Sequence, residues 1–307
     1  MGRRADDKIM SLREAIGNFV GDGCSVAFGG FCGRIAMAAV HEIIRQKKRN
    51  LTLICDSNND DVDMLIGAGC VKRWEGAYLA YGVPGLASNF RRAVEQGIPH
   101  FIEVEEASNY AMGLRFLAGA MNVPFMPLKS LIGSDIPKYN PRVRVIEDPY
   151  HGEPIALIQA ANPDVAIIHV QRADPAGNSQ IFGFIGNDDN KARAAKHTII
   201  TCEEIISPDE VRKCPNLTVI PSYCVDAVVK VPYGSYWWSL TGYYTFDIMF
   251  QLEYVRHSRT LEGFIKWLDE WVYSCESHNE FLKKVGWNRL KRCRKIERMC
   301  NRIPKLR

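Results

Sequence analysis

The chain has 307 residues, 47% hydrophobic and 24% charged with a net charge of +4, the balance of a globular protein with a large core. No apolar run reaches the ~18–20 residues that span a bilayer, and the N-terminal Met1-Gly-Arg-Arg-Ala-Asp-Asp7 leads into no export-signal stretch, while Asp6 disfavours myristoylation. Ten cysteines without a C-x-x-C pair read as free thiols in a reducing cytoplasm rather than disulfides or zinc ligands, so a cytoplasmic protein with no membrane partner is expected.

The first predicted strand is Cys24-Ser-Val-Ala-Phe28, followed by the loop Gly29-Gly-Phe-Cys-Gly-Arg34 and a helix over 35–45 with Ile35, Ala38, Ala39, Ile43 and Ile44 on its apolar face. Glycines at 29, 30 and 33 allow a sharp turn and a close approach to a ligand. Free amides at the helix start would point at an anion or oxyanion. An ordinary tight strand–helix turn is the alternative. The loop is neither a P-loop, since no Gly-Lys-Ser/Thr follows, nor a full G-x-G-x-x-G dinucleotide fingerprint. A nucleotide-binding reading would use Asp56, at the end of the second strand, for a ribose.

Strands at 51–55, 71–77 and 100–104 then alternate with helices at 62–66, 86–96 and 107–121. Residues 124–135 read as a loop from their Pro and Gly punctuation. Strands resume at 143–146, 155–159, 165–170, 198–202 and 217–220, with a short helix at 188–195. This alternation predicts an α/β fold with an open, mainly parallel sheet flanked by helices. From Tyr233 the composition changes. Tyr233, Tyr236, Trp237, Trp238, Tyr243 and Tyr244 are dense in aromatic rings and read as packing at a subunit interface. Helices at 248–256, 261–273 and 279–284 follow. The expected division is an α/β domain over 1–260 and a helical C-terminal extension over 261–307.

The extension ends in a basic tail. Residues 283–307 hold eleven Lys or Arg and one Glu, +10, leaving 28 basic and 34 acidic residues, −6, in the rest. Apart from Trp287 the tail lacks the aromatics of a nucleic-acid platform, so it reads as a solvated helix or subunit contact, with no nucleic-acid partner.

Among single residues, Glu103, Glu105 and Glu106 fall at a strand's carboxyl end, where open α/β sheets place their ligands. Crowded carboxylates there can act as acid–base groups; a solvated helix start is the competing reading. Ser134 and Asp135 could hydrogen-bond substrate or cap a helix, capping being the commoner use. His169, ending a buried strand, could contact a ligand at the crevice, but a hydrogen-bonded core histidine is the favoured reading. Asn187-Asp-Asp-Asn190 begins like a calcium loop but lacks its later glycine and glutamate, so no metal is expected.

Taken together, Gly29-Gly-Phe31, the run from Glu105-Glu-Ala-Ser-Asn109 to Met121, Pro124-Phe-Met-Pro127, Gly133-Ser-Asp135, Ala161-Asn-Pro-Asp-Val-Ala166, Asp174-Pro-Ala-Gly-Asn178 and the run Ala192 to Cys202 with Glu203-Glu204 resemble the alpha subunit of the family I coenzyme A transferases, closest to the glutaconate type. The set is collinear over roughly residues 8–260. A proline frequent after the glycine loop in that family is absent here, where Arg34-Ile-Ala-Met37 stands. The resemblance implies a CoA-transferase-like fold and an enzyme active only with a beta subunit, in an (alpha-beta)n hetero-oligomer. It implies no permanently bound cofactor. The substrates would be an acyl-CoA thioester and a small carboxylic acid, and the nucleophile a glutamate on the beta chain. Gly29, Gly30, Phe31, Gly33 and Arg34 would face the coenzyme A thioester and stabilise the oxyanion. A CoA-linked ring-opening hydrolase branch of the same superfamily keeps its working carboxylate on the alpha chain. That position falls on or near Asn109, with Glu106 the nearest carboxylate and the catalytic candidate on this chain. A non-catalytic scaffold subunit is the remaining alternative.

Overall fold

In the computed structural model, which describes residues 7–300, seven parallel strands form the centre of the fold. They are β1 (Ser25–Phe28), β2 (Leu51–Ile54), β3 (Val71–Gly76), β4 (Glu103–Glu106), β5 (Val165–Ala173), β6 (His197–Ile205) and β7 (Ala227–Lys230). Their spatial order is β7-β6-β5-β1-β2-β3-β4. Successive strands run outward from β1 in one direction up to β4, then in the other from β5 to β7. The order therefore reverses between β1 and β5, and such a reversal opens a crevice at the strands' carboxyl ends. Both strands at the reversal are covered on two faces. Val26, Ala27 and Phe28 of β1 and Val165 to Val170 of β5 are fully buried, which explains their nearly continuous apolar sequence.

The longer helices that accompany this sheet are α1 (Leu12–Phe19), α2 (Met37–Arg45), α3 (Asp60–Gly67), α4 (Ser88–Gln96), α5 (Asn109–Ala120) and α6 (Asp188–Ala194), with shorter ones at Ile136–Tyr139 and Pro208–Lys213. Two expectations shift. β4 lies later than the apolar run His100-Phe-Ile102 suggests. It pairs only with β3, and on that sheet edge Glu103 and Glu106 face solvent, so no apolar pattern marks it. Residues 124–135 are not all loop. Phe125–Leu128 forms an antiparallel strand against Pro154–Gln159, which also pairs with Val143–Glu147. The strand lies on the edge of this small sheet, where the missing N–H of Pro127 costs no ladder bond.

Four helices close the chain: α7 (Ile248–Ser258), α8 (Leu261–Leu268), running on through a π turn at Asp269–Tyr273, then α9 (His278–Val285) and α10 (Trp287–Cys300). The basic tail thus enters as a helix whose Leu290, Cys293 and Glu297 face inward. These helices share one core with the sheet, since Phe250, Tyr254, Trp267 and Phe281 cluster with Val26, Leu53 and Ile43. The aromatic run belongs to that core. Tyr236, Trp237 and Tyr244 are at most 1% exposed, which corrects their assignment to a subunit interface. Trp237 stands edge-on to Trp267 at 6.1 Å, a geometry worth about 0.5–1.5 kcal/mol beyond area burial. All ten cysteines are free thiols, and no helix among the described residues is long and apolar enough to cross a membrane.

Candidate functional site

A cavity of about 190 Å³ opens at the strand-order reversal. Gly30 and Phe31 reach it from β1, Asp56 and Ser57 from β2, and Asn109 from the start of α5. Phe184, Gly186, Asn187, Asp188 and Lys191 close it from the segment linking β5 to α6. All of these lie at carboxyl ends of strands, where the topology places ligands. Its volume is below the ~300–1,000 Å³ of sites that enclose a drug-sized ligand.

The glycine loop follows β1 as expected, but its amides are not arranged as a helix N-terminus. The helix starts at Met37 instead of Ile35, and its early amides are met inside the protein: that of Ala38 donates to Gly234 O at 3.0 Å. In the loop itself, Gly29 N donates to Ile167 O at 2.9 Å and Arg34 N to Ser239 O at 2.8 Å. Gly30 N meets both oxygens of the Asp188 carboxylate at 3.1 Å. Phe31, Cys32 and Gly33 remain, and among the described residues their amides donate to no protein acceptor. The glycines are needed for this path. Gly30 has a φ of +85°, and a Cβ there would come within 2.6 Å of the Gly33 and Arg34 carbonyl oxygens. A Cβ on Gly33 would meet Ser239 Oγ at 2.9 Å.

Arg34 points into the protein, 4% exposed. One terminal nitrogen donates to Asp188 Oδ2 at 2.7 Å, the other to Phe184 O at 2.7 Å and Ile185 O at 3.0 Å. Lys191 is equally hidden, donating to Phe28 O at 2.9 Å and Asp56 Oδ1 at 3.0 Å, with Asp188 Oδ1 at 3.7 Å. Its ammonium sits 5.4 Å from the Phe116 ring centroid. Asp56 also accepts from Asn187 Nδ2 at 2.9 Å and from Ser57 N at 2.9 Å. Burial alone would raise the Asp56 carboxyl, but the Lys191 ammonium and the Asn187 amide override it and hold it below the usual value. Burial alone would likewise discharge Lys191, and Asp56 and Asp188 keep its pKa above the ordinary lysine value. Two cations and two anions therefore cancel beneath the cavity floor. Asp56 thus spends most of its acceptor capacity inside the protein, on Lys191, Ser57 and Asn187.

The structure separates the residues of the β4 end. Asn109 lines the cavity and accepts from Ser57 Oγ at 2.7 Å, leaving its own Nδ2 unengaged. Glu106 is exposed at the strand end, outside the cavity wall, with its carbonyl accepting from Asn140 Nδ2 at 2.8 Å. Glu105 is bound by Arg142 Nε at 2.5 Å and Glu103 by Arg73 Nε at 2.6 Å. His169 is a core histidine, as read from sequence, with Nδ1 2.9 Å from Thr201 Oγ1 and Nε2 3.2 Å from Glu203 Oε1. Ser134 Oγ donates to Leu131 O, and Asp135 sits at a helix start without capping it, paired instead with Lys138. Neither reaches the cavity.

Comparison with known proteins places this architecture. The family model described as coenzyme A transferase matches residues 9–231, most of the chain. The chain belongs to that family. It is 38% identical to the A subunit of the 3-oxoadipate CoA-transferase of Pseudomonas knackmussii, over 91% of this chain and 98% of the relative. It is 36% identical to the A subunit of the glutaconate CoA-transferase of Acidaminococcus fermentans, over 92% and 93%. The crystal structure of the Acidaminococcus enzyme superposes with a TM-score of 0.86 over 92% of this chain and 94% of that one. A cholesterol ring-cleaving hydrolase IpdA subunit of Rhodococcus jostii is more distant, 26% identical over 88% and 93%. The chain is thus of the alpha-subunit, CoA-transferase type that its motifs resemble.

Several wall residues of this family member escape sequence reading. Asp188 stands within an acidic run whose visible pattern is that of a broken calcium loop. Lys191 is one lysine in the short, mostly polar helix α6, and Ser57 carries no motif. The helix is too polar for a hydrophobic period to mark Lys191 as buried.

Proposed function

We propose that this chain is the alpha half of a heteromeric CoA-transferase active site, moving CoA between an acyl-CoA and a small carboxylic acid together with a beta chain that carries the attacking glutamate. The observation that carries the reading is a cavity wall whose charges are all paired within the protein. Asp56, Asp188 and Lys191, its ionisable members, are all engaged with charged or hydrogen-bonding partners within the protein, so the wall offers donors and no free nucleophile or base. The Phe31, Cys32 and Gly33 amides and the Asn109 Nδ2 are the groups left to receive a developing oxyanion. In this scheme a beta-chain carboxylate oxygen adds to the thioester carbonyl, and the tetrahedral oxyanion collapses to an acyl–glutamyl anhydride as the CoA thiolate leaves. The thiolate then attacks the glutamyl carbonyl, releasing the first carboxylate and leaving a glutamyl-CoA thioester. The incoming acid reverses both steps and departs as the new acyl-CoA. The exposed rings of Phe31 and Phe184, 6.5 Å apart at the cavity mouth, fit the apolar centre of an interface with that second chain.

The test is reconstitution. The purified chain alone is expected to be inactive, and co-expression with the beta chain from the neighbouring reading frame to give CoA exchange with glutaconate or 3-oxoadipate as acceptor. Borohydride treatment of the CoA-loaded pair should label a glutamate of the beta chain. Full activity of the lone chain overturns the reading, and a stable pair that never forms the labelled thioester would make this chain a scaffold.

A further inference from the structure

The loop from Gly30 to Arg34 stands as an arch, and both of its feet rest on one side chain. Asp188, 1% exposed, accepts the Gly30 amide with both oxygens at 3.1 Å and the Arg34 guanidinium with Oδ2 at 2.7 Å. Between the feet lie the three residues whose amides have no protein acceptor. Cys32 and Arg34 hold left-handed backbone, φ 51° and 55°, a conformation that costs a non-glycine residue energy unless its surroundings enforce it. The enforcing contacts are those of Arg34. Its other terminal nitrogen grips the carbonyls of Phe184 and Ile185, so the same ion pair ties the arch to the opposite rim of the cavity. Lys191, 3.7 Å from Asp188, balances the charge left over.

We infer that Asp188 is a positioning residue, which through Gly30 and Arg34 sets the direction of the Phe31–Gly33 amides toward the reacting thioester carbonyl. The inference rests on the transferase reading above. Donors that stabilise an oxyanion act only when fixed before the charge develops. A displacement of ~1 Å can cost ~100-fold in rate. An asparagine at 188 would keep one acceptor and turn an amide donor toward either Gly30 N–H or Arg34, so one foot of the arch is lost. A lysine at 34 would keep the charge pair but could not fork onto Phe184 O and Ile185 O.

The experiment compares the assembled alpha–beta complex with its Asp188→Asn and Arg34→Lys forms by steady-state kinetics and by hydrogen exchange of peptides covering residues 29–36. For Asp188→Asn, kcat should fall ~10–100-fold with KM within ~3-fold, since the lost interaction exists only in the transition state. Exchange of the hydrogen-bonded Gly30 and Arg34 amides should rise at least ~10-fold, reporting local opening. Arg34→Lys should fall between this form and the native complex in both readouts, and decides the matter if Asp188→Asn does not assemble. Asp63→Asn is the structural control, a buried carboxylate on α3 held by Tyr81 and Tyr254. It should lower Tm and leave kcat unchanged. Unaltered loop exchange overturns the inference, as does altered exchange with unaltered kcat. Absence of transfer in the native complex defeats the transferase reading instead, and the exchange rates then still show whether the arch stands on Asp188.

Discussion

Two groups of largely buried carboxylates, one beneath the cavity and one on α3, are satisfied in opposite ways. At the cavity, Asp56 and Asp188 meet cations, Lys191 and Arg34. At α3, Asp60 and Asp63 meet neutral donors. Asp60 accepts from Trp237 Nε1 at 2.6 Å, Trp238 Nε1 at 3.1 Å and Gln251 Nε2 at 3.0 Å. Asp63 accepts from Tyr81 Oη at 2.7 Å and Tyr254 Oη at 2.8 Å. Charge follows from this. The cations keep Asp56 ionised, whereas burial prevails over the neutral donors and pushes Asp60 up to about 8 and Asp63 above its ordinary value. The cavity therefore holds a fixed charge state, while the aromatic half that welds the C-terminal helices to the sheet can titrate.

Removing a counter-ion should strike the first group hardest. Lys191→Met leaves the largely buried Asp56 without its cation, while Asp188 keeps Arg34, and breaking a buried pair in this way costs about 3–5 kcal/mol. Urea unfolding of the assembled complex measures it, and a loss no larger than that of a surface substitution would remove the distinction. In the second group, Trp237→Phe keeps an aromatic ring against Trp267 but withdraws one donor from Asp60, so a loss of about 1–3 kcal/mol is expected from the same unfolding curves.

The pH dependence separates the regions further. His278 in α9 is buried, with Nε2 3.1 Å from Pro232 O, and burial lowers it to about 4 from the ordinary 6.5. A base with a depressed folded pKa binds fewer protons folded than unfolded, so stability falls as pH drops from 6.5 toward 4 and levels below that. His278→Gln should flatten this part of the curve. Asp60 acts with the opposite sign. Its raised pKa means that the folded state holds the extra proton, so its contribution declines as pH rises from 3.8 to about 8, and Asp60→Asn should remove that decline. Hydrogen exchange of residues 29–36, corrected for intrinsic rate, should stay constant over the interval in which these stability curves bend. The smallest effect is expected at Glu106, exposed and outside the wall. Glu106→Gln should change stability by no more than about 0.5 kcal/mol and leave turnover of the complex unaltered. A large fall in turnover would restore an acid–base role to this carboxylate.

What can be read from sequence follows the same division. β1, β5 and β6 are buried on both faces, and their apolar runs announce a parallel sheet. The glycine loop is visible because Gly30 requires a conformation other residues avoid. β4 and the Phe125–Leu128 strand are displaced or hidden because edge strands carry glutamate and proline without penalty. The aromatic run resembles an outward surface because its rings follow no period, and only α7 to α9, folding over it, show that it faces inward. The ion pairs beneath the cavity join residues more than 130 positions apart, such as Lys191 with Asp56 or Arg34 with Asp188. No local pattern can signal such pairs; they exist only once the strand order has brought β1, β2 and the β5–α6 segment together.

The cancelling charges under the cleft have a consequence for how this scaffold diversifies. Under the transferase reading, a surface that contributes shape and amide donors but almost no net field leaves the reacting atoms governed by whichever polypeptide closes over it. Relatives named as transferases and as a ring-cleaving hydrolase share sequence along nearly the whole of this chain. An electrically quiet floor is the kind of component that can be kept while the chemistry changes overhead.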